Sequence, residues 1–378
     1  MPILIAASLV SATLGSIHGF SVFVAPLEAQ FGAARSTVSL TYSLALVSLT
    51  IAVLLGPRVY HLWSAARLMV MVSVLASVGA IVAGVAGSLG GVWLGYSLLF
   101  GAANGLGYGF GLQIAGQANP GREGLAMGGV TAAYALGAIL SAPGFDALVT
   151  RYGFLAAMLA LAGVMIVTGS LSALILWRHS ARYKGGSGVA TPLSVPNARL
   201  ILLWLGYFGG VLSGLMVIGH ASGIAISKQP GSAAWIAPAI IAICNLAGSL
   251  IAGRLADWAP PGKLLIALPA ATAGALIGLS LVDSTVAMML VFGVVGFAYG
   301  GTIAVYPAAI SKMFGNQFGP RIYGRVFTAW GTAGLLGPWS AGMLFDTSGG
   351  YGAALVVAAA FAIGSVIAAF QLFRDTAK

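Results

Sequence analysis

RHSARYKGGSGVATPLSVPNAR, residues 178–199, is the longest polar stretch of this 378-residue chain and falls near its middle. Basic residues, Gly, Ser and Pro crowd it, which is the composition of a flexible connection. On both sides the sequence is apolar almost without interruption. Reading outward, we place segments of bilayer-crossing length at about 3–26, 35–56, 68–88, 91–115, 125–145 and 153–177 before it. A second six lie at about 200–222, 233–253, 263–282, 285–310, 325–345 and 351–373 after it. None holds a Lys, Arg, Asp or Glu at its centre. The expected fold class is an all-α membrane protein with twelve transmembrane helices in two six-helix bundles. The expected domains are 1–177 and 200–378, joined by a linker over 178–199.

Composition agrees, because 6% charged residues and a mean hydropathy of +1.00 lie far from the roughly 25% charged of soluble domains. The net charge of +10 would point to nucleic acid in a soluble protein, so the placement of the cations decides its meaning. With both termini cytoplasmic, fourteen of the seventeen Lys and Arg residues fall on inner segments, leaving Arg35, Arg151 and Lys228 outside. That is a positive-inside distribution, and it removes the need for a polyanionic partner. We therefore expect a multi-pass protein of the cytoplasmic (inner) membrane, in contact with lipid and a small-molecule substrate, monomeric, with no nucleic acid and no cofactor. The first span begins near Ile3 without a charged leader or a convincing cleavage site, which reads as a retained helix. The lone Cys244 lies in span eight, excludes an internal disulfide, and reads as packing.

Shifting the sequence by 200 positions superimposes Gly124 on Gly324, Leu136 on Leu336, Gly137 on Gly337, Phe145 on Phe345 and Asp146 on Asp346. Spans five and eleven are thus equivalent, as a parallel repeat of two six-helix halves requires, an arrangement that resembles the major facilitator plan. Gly101, Gly105 and Gly109 recur every four residues in span four, a spacing that lets helix backbones approach closely. The GLGYGFG at 105–111 is no nucleotide loop, since neither a preceding strand nor a soluble helix accompanies it. Pro143 and Pro338, late in spans five and eleven, mark kinks or hinge points.

The segment Gly253-Arg254-Leu255-Ala256-Asp257 resembles the major facilitator loop motif, in which Gly permits a tight turn while Arg and Asp latch helix ends. The corresponding GPRVYHLWSAAR after span two has Tyr60 or His61 where the acid is expected. More specific are PLEAQFGAARSTVSLTYSL at 26–44, GREGLAMGG at 121–129 and YGRVFTAWGTAGLLGPWSAGMLFDTSGGY at 323–351. Together these resemble the oxalate/formate antiporter and monocarboxylate transporter branch of the major facilitator superfamily. The resemblance implies the major facilitator fold and secondary transport. It also implies that anions are held by a buried Arg in span eight and, in oxalate carriers, by a Lys in span eleven. Here the matching positions carry Ser249 and Trp330. A dianion would lose its hydration with no fixed cation to replace it, so oxalate is an unsuitable substrate.

The groups left to line a substrate path are His18, Tyr42, Tyr108, Gln113, Tyr134, His220, Asn245, Ser249, Tyr299 and Trp330, with Asn104 and Tyr306 also inside spans. Hydroxyl, amide and imidazole donors beside aromatic rings suit a monocarboxylate or another amphipathic organic anion. An exporter of a neutral or aromatic molecule, and a transport-silent sensor or assembly factor, are the alternatives. His18 and His220 lie late in the first span of each half and are the only intraspan groups that titrate near neutrality, which makes them candidates for proton coupling. Met216 and His220 alone make too few ligands for a metal site. No paired carboxylates, Ser with a base, or His-rich zinc motif is present within the spans, so we expect no enzyme.

Overall fold

The computed structural model describes residues 1–60, 62–119, 123–183, 197–231, 233–281 and 284–374. Most of the 178–199 linker, with Lys184, lies outside the described residues, as does Arg122.

Helix α1 (Pro2–Leu14) opens with proline in its first turn, where a missing N–H costs nothing. It continues as a 3-10 stretch, Gly15–Phe23, and then as α2 (Val24–Phe31), which ends on Gly32 in the left-handed conformation. Helix α3 is Arg35–Tyr60. Helix α4 (Ala65–Gly84) is capped by Ser64, whose side chain accepts from the Arg67 amide. Helix α5 (Leu89–Val92) runs into a π stretch, Trp93–Phe100, and then α6 (Gly101–Gln117). The π stretch is braced by α3: Trp93 Nε1 donates to the Thr41 hydroxyl at 3.1 Å, and the Ser97 hydroxyl to the Thr41 carbonyl at 2.7 Å. Helix α7 (Glu123–Arg178) holds spans five and six, and Gly153, with φ of 81° and ψ of 177°, breaks it between them.

The remaining elements are α8 (Asn197–Ile218), α9 (Ala221–Lys228), α10 (Ile236–Trp258), α11 (Pro261–Leu281), α12 (Thr285–Ser348) and α13 (Gly352–Arg374). Among the described residues, nine helical stretches are long and apolar enough to cross a membrane. The difference from twelve has a structural reason. Helix α7 carries two spans, span four is divided among α5, the π stretch and α6, and span eleven occupies α12 beyond Phe314. Leu140, Val286, Leu290 and Val356 are each at least 65% exposed, which is the outer surface a lipid environment covers.

Two expected loops are helical. Helix α10 continues through Gly253, Arg254 and Asp257, so the proposed turn motif forms the last turns of a helix. Helix α12 likewise runs through 311–324, where a loop is expected between spans ten and eleven.

The chain forms two compact units. Unit 1 is Met1–Ala34 with Leu40–Gly188, and unit 2 is Arg35–Ser39 with Val189–Lys378. In unit 1, α1 and α4 pack on α7, and α1 packs on α6. The α1–α7 crossing is a backbone contact: a Cβ added to Gly137 would overlap the Ala12 carbonyl, and one added to Gly15 the Tyr134 carbonyl. The four-residue glycine stripe faces α3, where Gly101 and Gly105 abut the carbonyls of Ala45 and Leu49 and Gly109 makes room for the Tyr60 hydroxyl. In unit 2, α10 packs on α12 through Gly248, Gly296 and Gly300, and α8 packs on α12 and α13. The Ser365 hydroxyl donates to the Gly206 carbonyl at 2.6 Å across the α8–α13 contact. Cys244 is half-buried against Gly293 in the α10–α12 seam.

Candidate functional site

The change from α to 3-10 geometry at Gly15 alters the hydrogen-bond register of the first span, and a side chain from α6 serves the carbonyl at that point. Asn104 Nδ2 donates to the Leu14 carbonyl at 2.6 Å, while Asn104 Oδ1 accepts from the Tyr134 hydroxyl at 2.9 Å. A break in a membrane helix persists where a neighbouring helix satisfies the freed backbone, and such breaks accompany binding sites in transporters. His18 lies within the 3-10 stretch, with Nδ1 2.7 Å from the Tyr42 hydroxyl of α3. Its ring meets Tyr134 of α7 edge-on, with centroids 5.6 Å apart. Tyr108 of α6 packs on Tyr134 at 4.8 Å, and its hydroxyl lies 3.2 Å from that of Thr131. Phe20 stacks on Tyr42 at 5.7 Å and completes an aromatic wall.

Four of the residues singled out from sequence, His18, Tyr42, Tyr108 and Tyr134, therefore converge in unit 1. Gln113 does not join them: it is exposed, beyond Tyr108 on α6. Asn104 is fully buried and supplies the centre of the cluster. Its signal in the sequence is an amide in an apolar span; its partners are not readable there, because the Leu14 carbonyl is backbone and 90 residues away.

In unit 2 the candidates form three separate groups. Trp330 Nε1 donates to the Tyr299 hydroxyl at 3.1 Å, and Phe327 stacks on Trp330 at 5.5 Å. Ser249 donates to the Gly300 carbonyl at 3.1 Å and lies 3.4 Å from Asn245 Oδ1, so its hydroxyl fastens α10 to α12. His220 sits between α8 and α9, with Nε2 2.8 Å from the Pro338 carbonyl and Nδ1 3.2 Å from the Tyr351 hydroxyl. In the Gly253 segment, Arg254 is exposed and the Asp257 side chain lies outside the described residues. Lys312 donates instead to the Ala256 carbonyl in that last turn, where the helix dipole favours a cation.

After span two, where Tyr60 or His61 stands in place of the motif's acid, His61 lies outside the described residues and Tyr60 is taken up in packing. Tyr60 is buried, set against Gly56 and Gly109, with Phe110 at 5.3 Å and Tyr183 at 5.4 Å. Tyr183 folds back from beyond the sixth span, and its partial burial raises the phenol above its usual range.

Comparison with known proteins gives a consistent picture. The profile of the Major Facilitator Superfamily matches residues 4–317. The uncharacterized MFS-type transporter YhjX of Escherichia coli (strain K12) is 25% identical over 339 residues, covering 85% of this chain and 82% of that protein. Monocarboxylate transporter 11 of Mus musculus is 24% identical over 377 residues, covering 93% and 83%. The oxalate:formate antiporter of Oxalobacter formigenes is 24% identical over 290 residues, covering 71% and 68%. Among solved structures, a bacterial homolog of the human lysosomal transporter Spinster, inward-facing and occupied, matches with a TM-score of 0.69 at 18% identity. That match covers 99% of this chain and 96% of the other.

Proposed function

The chain belongs to the Major Facilitator Superfamily, and on that premise we propose that it carries a monocarboxylate or a related amphipathic organic anion across the cytoplasmic membrane by alternating access of its halves, 1–177 and 200–378. The observation that carries this reading is the His18 cluster. It gathers an imidazole, three phenols and an amide at a helix break, beside aromatic rings, with no ion pair among them. Hydroxyl and imidazole donors can hold one carboxylate while the rings cover an apolar body. A second carboxylate would need a fixed cation, and Ser249 and Trp330 offer none. The names of two relatives, a monocarboxylate transporter and an oxalate:formate antiporter, support the same class.

Counterflow in liposomes tests the reading with labelled L-lactate, formate, benzoate and oxalate. At least one monoanion should accumulate, with oxalate weaker by roughly tenfold or more, about 1.4 kcal/mol of discrimination. High-affinity oxalate exchange by the unaltered protein would overturn the assignment. His18→Gln should purify normally yet lower monoanion counterflow by about the same factor, because it replaces the ring that faces Tyr42 and Tyr134.

We further propose that both termini and the 178–199 linker are cytoplasmic, supported by the distribution of Lys and Arg. Alkaline-phosphatase fusions at residue 190 should be inactive in a bacterial host and fusions near Arg151 active. The reverse pattern would invert the orientation.

A further inference from the structure

The first turn of α3, Arg35–Ser39, clusters with unit 2, whereas the helix from Leu40 onward clusters with unit 1. A continuous polar chain holds that turn in unit 2. Asp346, near the end of α12, accepts from the backbone amide of Arg35 at 3.0 Å and from that of Ser36 at 2.9 Å. These are donors that the start of a helix leaves without an intrahelical partner, and here an acid 311 residues away in sequence caps them. The Arg35 guanidinium lies 4.0 Å over the Phe345 ring, and its Nη1 donates to the Tyr351 hydroxyl at 2.8 Å. From that hydroxyl the chain passes to His220 Nδ1 and from His220 Nε2 to the Pro338 carbonyl.

The donors and acceptors in this chain fix its direction. A guanidinium only donates and a carbonyl only accepts, so Arg35 supplies the hydrogen to Tyr351 and His220 Nε2 supplies the hydrogen to Pro338. With a neutral ring, Nδ1 accepts from the Tyr351 O–H, and every hydrogen points from Arg35 toward Pro338. A second proton, taken from water onto Nδ1, turns that nitrogen into a donor, so the Tyr351 hydroxyl must turn its own hydrogen away and its oxygen must accept from two cationic donors at once. It also places a positive charge one hydroxyl away from the guanidinium. Among the described residues, the charged and titratable groups that act on His220 are Tyr351, Arg35 and Asp346. The Asp346 carboxylate accepts from the two amides of α3, and its negative charge acts on the imidazole in the opposite sense to Arg35.

We propose that His220 is a proton-sensing positioning residue of the transport cycle: neutral, it keeps Arg35 on Tyr351 and the first turn of α3 in unit 2, and protonated, it releases that turn. His18 lies 2.7 Å from the hydroxyl of a phenol, Tyr42, whereas His220 reaches an arginine through Tyr351. The inference concerns coupling and stands independently of which solute is carried.

Deuterium exchange on the full-length protein in nanodiscs tests it without a substrate. The readout is protection of the Arg35 and Ser36 amides between pH 5 and 8, each variant compared with wild type at the same pH so that intrinsic exchange chemistry cancels. Wild-type protection should fall as the pH falls. In His220→Gln it should stay at its high-pH level, giving exchange at least tenfold slower than wild type at the acid end. Tyr351→Phe removes the linking hydroxyl and should also abolish the pH response. Asp346→Asn should lose protection at every pH. A pH response unchanged in both His220→Gln and Tyr351→Phe, or pH-independent protection in wild type, would overturn the proposal.

Discussion

Gly137→Ala should leave little folded protein, with a sharply lowered apparent melting temperature in whatever survives purification. The added methyl would coincide with the Ala12 carbonyl, and that obstacle is backbone. Overpacking typically costs about 1–3 kcal/mol where side chains can shift. Here α1 and α7 must separate along their whole crossing, so we expect a cost at or above about 3 kcal/mol. Separation would also pull Tyr134 from Asn104 and His18, since Gly15 meets the Tyr134 carbonyl at the same crossing. Gly144→Ala, on the same helix with nothing within 4 Å of an added Cβ, is the control and should be neutral or slightly stabilising. Equal melting temperatures for the two variants, measured by thermal unfolding in detergent, would refute the close crossing.

Asn104→Leu should be the most damaging polar substitution in unit 1. An interhelical hydrogen bond in a bilayer is worth only about 0.6 kcal/mol on average, because the unfolded-in-membrane chain finds other partners. Asn104 makes two such bonds, and leucine would strand the Leu14 carbonyl and the Tyr134 hydroxyl in a site where the amide itself is fully buried. Orphaned buried groups cost about 1–3 kcal/mol each, so a loss of about 2 kcal/mol or more is expected. Asn104→Asp divides the effect: it keeps an acceptor for Tyr134 and, while ionised, has no donor for Leu14. Monoanion counterflow should fall in both variants, further than the loss of folded protein explains. Wild-type melting and transport in Asn104→Leu would show that the break in the first span needs no brace.

Hydropathy made the spans legible because crossing a bilayer sets a minimum apolar length, and every one of the twelve meets it. The Gly101, Gly105 and Gly109 stripe was legible for a similar reason, since close helix approach leaves a four-residue period; the helix it faces, α3, was not. Periodicity is blind to hydrogen-bond register. Nothing in GSIHGFSVF or WLGYSLLF contains a proline, and yet the first is 3-10 and the second π. The His18 cluster was legible as a set of polar groups in apolar spans, but its centre was not, because Asn104 acts on a carbonyl that every residue possesses. The Asp346 cap on Arg35 joins positions more than 300 residues apart, and no local pattern announces it. The Gly253–Asp257 segment was read as a turn because glycine often makes one, while inside a membrane helix glycine serves packing equally well, here with Ala304 as its neighbour.

The 3-10 stretch in the first span also has a mechanical meaning. A 3-10 turn rises about 2.0 Å per residue against about 1.5 Å for an α-helix. Gly15–Phe23 contains nine residues, so the rod from α1 to α2 is about 4.5 Å longer than the same residues would be in α form. Rewinding that stretch would shorten the rod by the same amount and turn its side chains, His18 among them, through part of a revolution. Because α1 is pinned to α7 at the backbone crossing, the displacement would appear at the α2 end. Rewinding the first span would thus work as a telescoping joint, a stroke of several ångströms drawn from hydrogen-bond register with no hinge bending required.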